Sequence, residues 1–91
     1  MDLLAIRQEI DQVDQALVTL LEKRMDLVGQ VAAYKAQVGK AIFDRQREEE
    51  VLEKIAGLVE NQDYRERLVE TFAAIMKESR TYQASVLECE K

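Results

Sequence analysis

An all-helical fold, three helices per chain with one of them very long, is predicted by three observations. The sequence has no Pro and only three Gly, so little in it interrupts a helix. Its apolar residues recur at intervals that alternate between three and four, which is helical periodicity. At 91 residues there is room for one small domain, without linker, internal repeat or low-complexity tract.

The first helix is expected over residues 3–38. Its stripe is Leu3, Ile6, Ile10, Val13, Leu17, Leu20, Leu27, Val31 and Val38. Asp2 can cap the start, and Gly39 suits the position just past the end. Gly29 falls inside the pattern at a helix-propensity cost of about 1 kcal/mol. It marks either a close helix approach or nothing structural. The second helix, residues 44–59, carries Val51, Leu52, Ile55 and Leu58 behind an Asp44 cap. The polar run Glu60, Asn61, Gln62, Asp63 reads as a loop. The third helix, residues 63–87, starts near Asp63 with Glu66 placed as in a capping box. Its stripe is Leu68, Phe72, Ile75, Met76, Ser79, Gln83 and Val86.

Length then argues for assembly. A helix over residues 3–38 is roughly 50 Å long, whereas a compact chain of this size is only about 30 Å across. The overhang carries apolar residues that would be costly to leave in water. A homodimer in which the long helices pack on each other resolves the conflict.

Composition excludes several chemistries. The sequence has no His and one Cys, which removes His-based catalytic triads, His-ligated metal sites and an internal disulfide. Thirteen basic against eighteen acidic residues give a formal charge of -5, a poor match for nucleic acid. No apolar run approaches a signal peptide or the roughly 20 residues of a membrane span. The expectation is a soluble cytoplasmic domain with no nucleic-acid or membrane partner.

The informative residues are polar ones on apolar stripes. Arg24 continues the series Leu17, Leu20, Arg24, Leu27. Lys35 lies within about 20° of the same helix face and roughly 16 Å further along. Arg7 is about 100° round the helix from Arg24, so it cannot join the same pocket from the same side; in a dimer it could reach the partner's. Asp44, Arg47 and Glu48 precede the apolar face of the second helix, and Ser79 and Gln83 sit one turn apart on the third. Buried charges need partners, so a cationic interior expects an anionic ligand.

Taken singly, each residue has a plainer reading. Arg24 fits a snorkelling or register-setting cation, Lys35 a C-terminal dipole partner and Asp44 a cap. Ser79 and Gln83 fit a polar interhelix contact. Arg45, Glu49 and Glu50 fit a solvated face. What favours a site is the same inward-facing chemistry on all three helices.

The chain resembles the all-helical class of chorismate mutase over essentially its whole length. The resemblance rests on Leu3-Leu4-Ala5-Ile6-Arg7, then Ile10, Asp11 and Asp14, then Leu20-Leu21-Glu22-Lys23-Arg24 with Lys35 at the family spacing. Phe43-Asp44-Arg45-Gln46-Arg47-Glu48 follows a short turn, and Glu78-Ser79 is followed by Gln83. The loop before the third helix is about one residue shorter than the family's usual length.

That resemblance implies an intertwined homodimer that converts chorismate, a small dianion, to prephenate on the route to Phe and Tyr. It implies no cofactor and no metal, because the rearrangement is unimolecular. Arg7 would cross to the other subunit's site and bind a carboxylate there; Arg24 would hold one from within. Lys35 and Gln83 would contact the ether oxygen of the breaking bond. Glu48 would accept from the ring hydroxyl, assisted by the backbone around Asp44. Arg47 and Ser79 would complete the shell. Lys35, Gln83, Arg24 and Glu48 are thus the expected catalytic set. No dehydratase, dehydrogenase or synthase segment is seen, so a monofunctional mutase is expected, with room for association with another shikimate-pathway enzyme. Two rival readings are isochorismate-pyruvate lyase on the same fold and a non-catalytic helical dimerisation module. Glu48 favours the mutase over the lyase, and the inward polar residues argue against the module.

Overall fold

The structure, a computed structural model, describes the backbone of residues 2–89 and the side chains of residues 2–87. The sequence leads one to expect an exposed tail thiol at its single Cys, Cys89, a side chain that lies outside the described ones. Three helices make up the fold: α1 (Leu3–Val38), α2 (Arg45–Leu58) and α3 (Gln62–Cys89). None of them is long and apolar enough to cross a membrane.

The ends of α1 follow from two residues. Asp2 is in extended conformation and its side chain accepts from the Leu4 N–H at 3.0 Å, which satisfies one of the orphan donors of the first turn. Gly39 has φ 71°, a left-handed conformation open to glycine at little steric cost. The chain can then fold back, and the Lys40 N–H donates to the Lys35 carbonyl at 2.9 Å. Asp44 caps α2 through the Arg47 N–H at 3.1 Å.

The start of α3 corrects the sequence expectation. The helix begins at Gln62, and Asn61 is its cap, its Oδ1 accepting from the Asp63 N–H at 2.9 Å. Asp63 is therefore a first-turn acid, well placed against the helix dipole. Glu66 pairs with its neighbour Arg67 at 3.0 Å instead of closing a capping box. Asn and Asp cap about equally well, so a run of four polar residues leaves the first turn free to start early.

Helix α3 is the shared element. It packs on α1 and on α2, while α1 and α2 do not pack on each other. Gly29 faces Tyr82 of α3, but a Cβ there would lie 3.7 Å from the ring, an ordinary contact that does not require glycine. The fold is a thin slab measuring 55 × 26 × 14 Å, with a radius of gyration of 16.3 Å, against about 12 Å for a compact chain of this length. Only Ala32 and Met76 are buried apolar side chains among the described residues. Leu3, Leu4, Ile10, Val13, Leu17 and Leu20 of α1 are all exposed.

Candidate functional site

A strongly charged cleft lies between the C-terminal half of α1, the first half of α2 and the C-terminal half of α3. It encloses about 190 Å³. Val28, Val31, Val51 and Met76 form its apolar lining; Arg24, Lys35, Asp44, Arg47, Glu48, Ser79, Arg80 and Gln83 supply the polar groups. Four cations thus face two carboxylates, leaving two positive charges in excess. Two other hollows are larger, at 350 and 430 Å³. They are shallower and mainly apolar, made by α1 and α3 around Leu21 and Met25, and neither gathers this chemistry.

Local structure positions each group. Arg24 comes from mid-α1 and its Nη1 donates to Ser79 Oγ at 2.7 Å. Ser79 in turn donates to the Ile75 carbonyl one turn back, at 2.8 Å, so the hydroxyl is fixed from both sides. Lys35 stands in the last turn of α1, and its Nζ donates to the Ile42 carbonyl at 2.7 Å. This contact ties the ammonium to the α1–α2 connection. It also makes the dipole reading and the inward reading of Lys35 compatible. Asp44 and Arg47 are at the first turn of α2 and exposed. The Arg47 side chain makes no ion pair among the described residues.

Gln83 is buried, at 6% exposure. Its Oε1 is the buried side-chain atom without a hydrogen-bond partner among the described residues. Buried polar groups are nearly always paired, so this open acceptor beside the cleft is a place for a ligand's hydrogen-bond donor.

The cleft brings together seven of the eight residues singled out from sequence. Arg7 is the one it does not include: it is exposed on α1, about 25 Å along the helix from Arg24. Arg45, Glu49 and Glu50 do form a solvated face, with Arg45 pairing Glu49 at 3.1 Å.

Sequence reasoning missed Arg80. Its Nη1 donates to Glu48 Oε1, and its guanidinium lies 4.9 Å from the Phe43 ring centroid. The signal was there to find, because Met76, Ser79, Arg80 and Gln83 have the i, i+3, i+4, i+7 spacing of a single helix face.

Residues 6–84 match the family described as chorismate mutase type II. The chain belongs to that family. Among chorismate mutase relatives, it is 29% identical over 84 residues to a chorismate mutase from Methanocaldococcus jannaschii, covering 91% of this chain and 85% of that one. It is 33% identical over 87 residues to a bifunctional chorismate mutase/prephenate dehydratase from Buchnera aphidicola subsp. Acyrthosiphon pisum, covering 94% of this chain. A T-protein from Enterobacter agglomerans is 43% identical over 51 residues, or 56% of this chain. The chain spans 23% of the length of the Buchnera relative and 14% of the T-protein. No solved structure matches the chain.

Proposed function

We propose that this protein converts chorismate to prephenate in the cytoplasm, as a homodimer with two equivalent sites. The observation that carries the reading is the cleft's composition. A surplus of two positive charges over an apolar floor suits a dicarboxylate with a hydrophobic ring.

The reaction is an intramolecular pericyclic shift. It needs the enolpyruvyl arm folded over the ring and the charge on the ether oxygen stabilised as the C–O bond stretches. Arg24 and Arg47 clamp the carboxylates, which supplies the positioning. Lys35 through Nζ and Gln83 through its amide N–H donate to the ether oxygen. Such donors act on charge that grows only toward the transition state, so they lower the barrier more than they tighten ground-state binding. On binding, Lys35 trades the Ile42 carbonyl for this oxygen. Glu48 accepts from the ring hydroxyl, the backbone around Asp44 assists, and Ser79 holds Arg24 in place.

The dimer reading draws on the apolar residues left exposed along the first half of α1. Burying one such side chain contributes roughly 1.5–3 kcal/mol, and a second copy of α1 offers a matching surface. In that arrangement Arg7 enters the partner's cleft and adds a third carboxylate clamp.

The deciding experiment is direct. The protein is incubated with chorismate and the loss of its ultraviolet absorbance followed; acidification then converts prephenate to phenylpyruvate. Appearance of phenylpyruvate is the expected result. Untouched chorismate overturns the proposal, and pyruvate released from isochorismate would assign the lyase reaction instead. Sedimentation at micromolar concentration is expected to give twice the chain mass; a monomer overturns the dimer.

A further inference from the structure

Arg80 is the cleft cation without a role in the reading above. The Arg80–Glu48 pair is the one ion pair joining two different helices among the described residues; the other two lie within single helices. Both side chains are largely withdrawn from water, at 31% and 21% exposure. The guanidinium also rests on the Phe43 ring, a cation–π contact that braces it from the α1–α2 connection.

The neighbours of Glu48 explain why such a brace matters. Arg24, Lys35 and Arg47 line the same cleft. A half-buried carboxylate with no dedicated partner would turn to one of them. It would then compete with an incoming carboxylate for the same cation. Arg80 engages Glu48 Oε1 and leaves Oε2 as the acceptor for a ligand. Meanwhile Arg24 rests on a hydroxyl and Lys35 on a carbonyl, both neutral partners that a carboxylate or developing oxyanion readily displaces.

We propose that Arg80 is a positioning residue. It holds the Glu48 carboxylate aside from the anion-binding cations while keeping one of its oxygens turned toward the ligand's hydroxyl. The inference rests on the chorismate mutase reading, and it specifies how the cleft keeps its positive surplus available.

The test is a double-mutant cycle on the dimeric protein with chorismate as the probe. Arg80→Met keeps much of the side chain's length and apolar stem but removes the charge. It is expected to raise KM about tenfold, the scale of one charged hydrogen bond, with a much smaller change in kcat. Arg80→Lys should recover most of the loss. In a Glu48→Gln background, Arg80→Met should change KM less than about twofold, because no carboxylate remains to stray. Phe43→Leu removes the brace without removing a charge and should raise KM in the same direction by a smaller factor, which keeps the test open if Arg80→Met does not fold. An equal rise in KM in both backgrounds overturns the proposal, as does an unchanged KM in Arg80→Met or a KM in Phe43→Leu no higher than in the wild type. A wild-type protein inert toward chorismate overturns this inference together with the functional reading; an active wild type with additive losses overturns the inference alone.

Discussion

The two halves of α1 carry the same apolar period and put it to different use. From Arg24 onward the helix lies against α3, buries Ala32 and lends Arg24, Val28, Val31 and Lys35 to the cleft. Before Leu21 it has no buried residue at all, and Leu17 and Leu20 stand 48% and 63% exposed. Periodicity therefore says that a face is to be buried, but not against what. In the C-terminal half α3 is the partner of the face that carries Ala32, whereas Leu27, Val31 and Val38 stay 51%, 45% and 47% exposed. In the N-terminal half the proposed partner is a second copy.

The most severe test of this contrast acts on the packed half. Lys35→Ala should lower kcat by about 10²–10³, the usual loss for a charge-directed donor, while Lys40→Ala, five residues on and past the end of the helix, should leave it nearly unchanged. Comparing steady-state rates of the two variants checks it; equal activities would remove Lys35 from the mechanism. A second test joins the halves. Arg7→Ala and Arg24→Ala subunits, each nearly inactive alone, should recover activity when unfolded and refolded together. Each mixed dimer then has one intact site, so an equal mixture should reach about a quarter of the wild-type rate. No recovery would confine Arg7 to its own subunit. The mildest test sharpens the boundary between the halves. At Gly29 an added methyl meets Tyr82 at ordinary contact distance, so Gly29→Ala should raise stability by up to about 1 kcal/mol in denaturant unfolding.

Much of the fold was legible because its cues are local. Asp2 and Gly39 bound α1 through their own conformational preferences, and the lack of Pro leaves its long stripe unbroken. The start of α3 was not legible, since Asn61 and Asp63 are nearly equivalent caps two residues apart. Within the cleft, Arg24, Lys35 and Gln83 announced themselves as polar residues where apolar ones belong. Arg80 did not. Its partner Glu48 is 32 residues away, and a contact of that range exists only once α2 and α3 are docked. Arg7 shows the opposite case: the angular argument placed it off the Arg24 face, and its position outside the cleft of a single chain follows.

The cleft's positive surplus sits in a chain whose formal charge is -5, and this sets two electrostatic ranges against each other. Beyond the Debye length, about 10 Å at 0.1 M ionic strength, the ligand meets little of either field. In dilute salt the field of the whole molecule reaches further and slows the approach of a dianion, while the local field of the cleft still favours capture. Added salt then relieves the first before it weakens the second. Encounter should accordingly quicken on going from very dilute to moderate salt, a reversal of the usual behaviour of electrostatically steered binding.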